Sequence, residues 1–586
     1  MSSNNMSTKV TYAEHCEMAE PTDSPPPPVP ASAAASAANP GNGIGIDDHA
    51  LLRMAATVPD LPELVQGAQR AAAFEHALTL TAAVRVYGRA MLFSMIMSLA
   101  IIMEGYDTSL LSSFYGYPAF QKRFGQPLAD GSSYQISARW QSGLANGSQV
   151  GQILGLVASG LLADRFGYRA TILGALALMV AFIFVLVFAQ NVGMLFAGSV
   201  LCGLPWGAFQ TLTTTYAADV SPTVLRPYLT TYVNLCWVVG QLVAIGVVRG
   251  LLGRADDWSW RIPYAVQWVW PVPIIVAVVL APESPWWLVR QGRLDDAKAA
   301  LRRLSAHPAA RIDDALALIV LTNEQEKLHG AGVSYWDCVR GTDRRRTEIA
   351  CAAWVVQVSC GIYFAFNIVY FLEQAGFAPD KAFDFGVGIN AVGFVGTLLS
   401  WWVMRYVGRR TLYIGGLSAL CVLLLAVGFL AIPSFAAGTP QYSAIGYASG
   451  ALLVVWIFVY DMSVGPVCYS IVAEIPSTRL RIKTVVLART CYNIVAIGVI
   501  FLNPAILNPT AWDLKGKGGF IWGGICFVGL VWTYFRLPEP RGRTPAELDV
   551  LFEQNVSARK FAATKVDLFL DGHHMDVLDK AAEAQM

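Results

Sequence analysis

MLFSMIMSLAIIMEGYDTSLLSSFYGYPAF, residues 91–120, is a long apolar run with only two charges, Glu104 and Asp107. Both are acids, and three residues apart they share one face of a helix. A carboxylate deep in a bilayer costs on the order of 3 kcal/mol on insertion scales, so it faces a protein interior or a water-filled cavity and usually serves an ion or proton pathway. The stretch therefore predicts a membrane helix that seats a proton-coupled transport step.

Composition agrees with a membrane setting. The 586-residue chain is 55% hydrophobic and 14% charged, with a mean hydropathy of +0.47, where soluble proteins carry about 25% charged residues. A polytopic membrane protein follows. The net charge of +1 gives no electrostatic case for a nucleic-acid partner. The ten cysteines are scattered without a CxxC pair and read as small apolar residues, so no metal site and no disulfide framework is expected. No cofactor motif is present, and no nucleophile–base constellation or phosphate loop suggests an enzyme.

Measured against the roughly 20 apolar residues that cross a bilayer, the chain offers twelve spans. Six lie at 90–113, 139–162, 170–189, 193–217, 227–250 and 263–281, and six at 349–372, 383–405, 411–432, 446–473, 484–507 and 519–536. The expected fold is an all-α polytopic bundle of twelve transmembrane helices in two six-helix halves, residues 86–289 and 347–537. A helical linker at 290–346 joins them. Residues 1–85, rich in Ser, Ala and Pro as far as about Asp48 and open to short helices from there to Arg85, and 538–586 read as tails. The basic loops Asp164–Arg169 and Arg405–Arg410, with Arg344–Arg346 and Arg479–Lys483, fall on one side if the spans alternate. The positive-inside tendency makes that side cytoplasmic, together with both tails. Lys122 and Arg123 in the first outer loop are the exception.

The halves echo each other. Asp219-Val-Ser-Pro-Thr-Val-Leu-Arg226 parallels Glu474-Ile-Pro-Ser-Thr-Arg-Leu-Arg481, Gly167 parallels Gly408, and Pro282-Glu283-Ser284 parallels Pro538-Glu539-Pro540, all at similar offsets. A transporter built from two such repeats places its substrate near the bilayer midplane between them.

The motifs DRFGYR, MRYVGRR, PESPWWLV and LPEPRGRT resemble those of the sugar porters of the major facilitator superfamily, over about residues 85–555. MEGYDTSLLSSFYGYPAFQ, LCGLPWG, LRPYLTTYVNLCWVVGQL, YWDCVRGTDRRRTEIAC, EIPSTRLRIKTVVLAR and LNPTAW are similar to the fungal maltose and α-glucoside permeases. The resemblance implies the major facilitator fold, a plasma-membrane location and proton symport of a disaccharide. Another sugar (a β-disaccharide, hexose or polyol) and a non-transporting sugar sensor are the alternatives. The chain also departs from these relatives: Gln152 stands where they often carry an acid, Asp461 where they carry an uncharged residue, Ser199 where many sugar porters have an arginine, and Val358 where a second glutamine is expected.

The candidate residues sort by chemistry. Arg489, the only charge within residues 485–508, needs a counter-ion. Asp107 is the expected partner, with Glu104 as a further coupling residue; a pair that merely joins helices is the alternative. A sugar needs amides that donate and accept and aromatics that stack. Asn234 and Gln241, two turns apart, share a face. Gln357, Tyr363, Asn367, Tyr469 and Asn493 complete the set, and the resemblance assigns sugar contact most directly to Asn234, Gln241, Gln357 and Tyr469. Asp164, Arg165, Arg169, Arg405, Arg409 and Arg410, with Asp219, Arg226, Glu283, Glu474 and Arg481, read as gating charges that set the balance between two access states. The partners expected are a small sugar, protons and the lipid bilayer, with the protein monomeric.

Overall fold

The computed structural model describes residues 61–115, 117–127, 134–251, 254, 256–328, 334–366, 379–433, 440–507, 512 and 514–566. Among these, eleven helical runs are long and apolar enough to cross a membrane. One of them, Arg139–Val187, has 49 residues, about twice what a bilayer requires. It breaks at Gly167, whose φ of 86° and ψ of 172° are not helical. The run is therefore spans two and three joined by the first basic loop, and the others are span one (Gly88–Phe114), four (Val192–Val220), five (Arg226–Leu251), six (Trp258–Leu280), seven (Asp343–Ala365), eight (Phe385–Tyr406), nine (Arg409–Leu430), ten (Ala444–Glu474), eleven (Arg481–Asn503) and twelve (Gly518–Arg536). A two-residue antiparallel ladder, Gln126–Pro127 with Tyr134–Gln135, lies in the loop after span one.

Within each half the helices meet where side chains are smallest. A Cβ at Gly105 would lie 2.1 Å from the Trp237 carbonyl oxygen, and one at Gly240 2.3 Å from that of Ile102, so spans one and five touch backbone to backbone. Gly151 and Gly155 of span two face Gly203 and Gly207 of span four in the same manner. Spaced four apart on each helix, these pairs form the small-residue seam that membrane helices use in place of a hydrophobic driving force. Spans seven and eleven, nine and twelve, and eight and ten pack in the second half; span five against eight and ten, and two against eleven, join the halves.

The tails are more ordered at their inner ends than their composition suggests. Leu61–Ala77 is a helix that lies on linker helix Ala309–Leu328, where Arg70 reaches Asp314 at 2.7 Å. Beyond span twelve, Pro545–Glu553 is a helix with a Thr544/Glu547 capping box, and its Asp549 meets Arg346 at 2.6 Å. Both segments fall in stretches read from sequence as tails. Their apolar faces (Leu61, Val65 and Ala68; Leu548, Leu551 and Phe552) are buried, and that burial fixes them.

Candidate functional site

Span one places both acids inside the protein: Glu104 and Asp107 are 3% and 4% exposed. Their partners differ from the expected pairing. Asp107 Oδ1 accepts from Gln267 Nε2 of span six at 2.7 Å. The guanidinium of Arg489 goes instead to Glu104, with Nη2 3.8 Å from Oε1. Between them stands Gln210 of span four, which accepts from Arg489 Nε at 2.7 Å and donates to Glu104 and, at 3.2 Å, to Gln152. The Asp107–Arg489 pair is thus corrected to a Glu104–Gln210–Arg489 triad. The cause is local: the seam between spans two and four presents Gln152 and Gln210 beside Glu104, and Asp107, one turn further, faces span six.

Arg489 is also held by aromatic faces. Its guanidinium lies 4.1 Å from the Tyr492 ring and 4.4 Å from the Trp354 ring, a cation–π arrangement that partly replaces lost water. Trp354 in turn meets Tyr469 edge-on at 4.7 Å and Tyr492 at 5.4 Å. Tyr363 follows on span seven, half-buried, its carbonyl accepting from Asn503 Nδ2 at 3.2 Å. The triad spans the boundary between the halves, with Glu104 and Gln210 on one and Arg489 on the other.

The amide candidates are buried on helices that face this centre. Asn234 and Gln241 are 6% and 8% exposed, and among the described residues the Asn234 Nδ2 donor has no partner. Asn493 is fully buried, and among the described residues neither its donor nor its acceptor is engaged. A buried amide left open is costly, so such groups fit a site that a hydroxyl-bearing ligand completes. Gln357 Nε2 is already engaged, donating to the Gly465 carbonyl at 2.9 Å. Asn367 lies outside the described residues. Gln210, Gln267 and Trp354 were missed from sequence; the available signal was a lone amide or indole in an otherwise apolar run.

At the loop end, charges form a second layer. Asp219 takes Arg481 of the other half, together with the hydroxyls of Tyr168 at 3.0 Å and Ser284 at 2.8 Å. Lys483 reaches across to Asp164, and Arg290 Nη1 donates to the Thr478 carbonyl at 2.7 Å. Arg409 and Glu474 pair within one half at 3.4 Å. Glu283 accepts the backbone N–H groups of Tyr168 and Arg169, and Glu539 those of Arg409 and Arg410, so each carboxylate caps the helix after a basic loop. Burial pushes both carboxyls above their usual range, and the backbone donors counter it.

Not every gating candidate enters this layer through a carboxylate. The Arg165 guanidinium lies over Phe166 and that of Arg405 over Tyr406. Arg410 donates to the Tyr534 carbonyl. Arg169 contributes its backbone N–H. Arg226 is buried and lines a cavity of about 540 Å³ with Arg70, Glu75, Tyr87 and His307.

A bundle of this topology, with a charged centre where its halves meet, has the architecture of a major facilitator. Solved structures agree on the fold. The proton:xylose symporter XylE bound to 6-bromo-6-deoxy-D-glucose aligns with a TM-score of 0.69 at 19% identity, covering 80% of this chain and 99% of that one. The inward-open xylose transporter XylE from E. coli aligns with a TM-score of 0.57 at 20% identity, over 79% and 99%. The chain belongs to the sugar (and other) transporter family, whose model matches residues 93–552. It is similar to maltose permease MAL61 of Saccharomyces cerevisiae, 41% identical over 520 residues, 87% of this chain and 84% of that one. The general alpha-glucoside permease of the same yeast is 41% identical over 506 residues, 85% and 81% of the two chains. The protein is a multi-pass membrane transporter, not an enzyme.

Proposed function

We propose that this chain imports an α-glucoside disaccharide of the maltose type together with protons, by alternating access between residues 86–289 and 347–537. The observation that carries the substrate class is the 41% identity to maltose and alpha-glucoside permeases across nearly the whole bundle. The proton assignment rests on the triad. With Glu104 charged, Arg489 and Gln210 hold it across the boundary between the halves. When Glu104 takes a proton, the ion pair is lost and the carboxyl becomes a hydrogen-bond donor, so the halves are freer to part. Arg489, still charged, keeps its aromatic faces. Asp107 serves as a second acid on the same helix, and the donor amide of Gln267 keeps it oriented.

Sugar hydroxyls engage Asn234, Gln241 and Asn493, with Tyr363, Asn367 and Tyr469 framing the ring and Gln357 exchanging its bond to Gly465 for one to substrate. The loop-end pairs Asp219–Arg481 and Asp164–Lys483 stabilise the state closed on that side, which we assign to the cytoplasm. Both termini then lie in the cytoplasm and the protein sits in the plasma membrane as a monomer. Arg165, Arg169, Arg226, Arg405, Arg409, Arg410, Glu283 and Glu474 tune that equilibrium.

The test is sugar uptake into cells lacking their own carriers, with external pH recorded. Alkalinisation on adding maltose supports the reading. Maltose uptake without a pH change leaves a facilitator. Failure to take up any α-glucoside, with the protein at the surface, transfers the assignment to another sugar or to sensing.

A further inference from the structure

Asp461 lies in span ten, about 25 Å along the helix from Ala444 and about 20 Å from Glu474 at 1.5 Å per residue, hence near mid-membrane depth. It is 4% exposed. Among the described residues no hydrogen bond or ion pair reaches its carboxylate. The pocket is cut by glycines. A Cβ at Gly393 of span eight would sit 2.5 Å from Asp461 Oδ2, and one at Gly396 3.3 Å from its Cβ. On its own helix the neighbours are Gly465, where a Cβ would lie 3.5 Å from Oδ1, and the adjacent Tyr460. Among the described residues, the spans packed on it carry charge only at the loop end: Arg405 within 385–406 of span eight, and Arg409 and Arg410 of span nine.

That break is adjacent. The helix ends at Met462, Ser463 has φ −127° and ψ −84°, and a new helix begins at Val464. Pro466 has no N–H, so the Met462 carbonyl lacks its helical donor. Gln357 of span seven donates to Gly465 at the same level, which links the break to a candidate sugar ligand.

A bare carboxylate in a glycine notch with no donor is far costlier than the neutral acid. We propose that Asp461 is a further proton-binding carboxyl of the transport cycle, carried by the half that supplies Arg489 and bearing its proton in the conformation seen here. When span ten re-forms at Ser463 and admits water to the notch, the carboxyl O–H bond breaks, its electron pair stays on Asp461, and the proton passes to water. The reverse step reloads it. The inference rests on the symport reading above and adds a site on the other half.

The test uses the full chain reconstituted in liposomes, with maltose and proton fluxes recorded together. Asp461→Asn is expected to carry one proton fewer per sugar than wild type, with a flattened pH profile of uptake. An unchanged proton-to-sugar ratio and pH profile overturns the proposal while leaving symport standing. A wild type that moves sugar without protons overturns the symport reading itself, and this site with it. If Asp461→Asn does not reach the membrane, a hydrophobic carbodiimide, which attacks protonated carboxyls in apolar surroundings, is applied to wild type and mapped by mass spectrometry. Modification of Asp461 that fades as pH rises supports the site. An unmodified Asp461 alongside modified Glu104 or Asp107 overturns it.

Discussion

The two halves share a plan at the loop end and diverge at the membrane centre. At the loop end the correspondences are close: Glu283 caps the helix that follows Gly167, and Glu539 caps the one that follows Gly408. At the centre, one half supplies Glu104, Asp107 and Gln210, while the other supplies Arg489 in an aromatic cage. Even in the loop layer one symmetry is broken. Asp219 takes its arginine from the opposite half, whereas Glu474 takes Arg409 from its own. On the proposed reading, the shared parts set which side is closed and the unshared parts handle the proton.

The largest effect is expected where the halves differ most. Arg489→Gln leaves Glu104 buried without its cation, and breaking such a pair costs about 3–5 kcal/mol. Expressed protein should unfold markedly earlier on heating in detergent, and the double variant Glu104→Gln with Arg489→Gln should recover much of that loss without regaining uphill uptake. A double variant as unstable as Arg489→Gln would mean that the aromatic cage, not the ion pair, holds the centre.

Next come the two arginines that correspond across the halves. Arg481 is bound to a carboxylate of the other half, and Arg226 is not in ion-pair reach of one among the described residues. Arg481→Gln should therefore shift access toward the loop-end-open state, seen as faster modification of a reporter cysteine placed on that side. Arg226→Gln should do so several-fold less. Equal shifts would place the gate elsewhere.

The paired glycines give a smaller and more local contrast. Gly167 has φ 86°, and an added Cβ there would also lie 2.5 Å from the Glu283 carboxylate. Gly408 has φ −67°, which alanine adopts without strain, and an added Cβ there likewise meets a helix-capping carboxylate, that of Glu539, so the backbone angle is what separates the two. Backbone in such a sparsely populated region costs side-chain-bearing residues roughly 1–3 kcal/mol. Gly167→Ala should lower thermal stability by about that amount and Gly408→Ala by less.

The smallest expected effect concerns the linker. Glu326 accepts from Thr478 N at 2.7 Å, from its hydroxyl at 2.8 Å and from Arg479 N at 3.1 Å. Burial, and then the charge of Asp549, push its carboxyl up to about 7. A carboxyl raised on folding binds its proton more tightly in the folded state, so its contribution is greatest in acid and fades as pH rises through about 7. Thermal stability should decline over that range, and Glu326→Gln should flatten the decline.

Much of this plan was legible in the sequence because membranes impose simple rules. Apolar length marked the spans, basic loops marked one end, and the repeated turns at Asp219 and Glu474 marked the halves. The acids of span one and the lone Arg489 also stood out against apolar surroundings. Which acid meets Arg489 was not legible: Glu104 and Asp107 share a helix face, and the choice is made by the Gly151–Gly155 and Gly203–Gly207 seam that places Gln210 beside one of them. The docking of helices 61–77 and 545–553 was hidden for a related reason. Their burial depends on the linker and on Arg346, far away in sequence.

The measurement that bears most directly on the central claim is maltose accumulation against a gradient by Glu104→Gln, alongside exchange of labelled maltose across the same membranes. The triad account predicts that accumulation collapses to the external concentration while exchange remains measurable, because the fixed neutral amide can no longer load or release a proton. Accumulation equal to wild type would contradict it and would return the proton to Asp107 or Asp461.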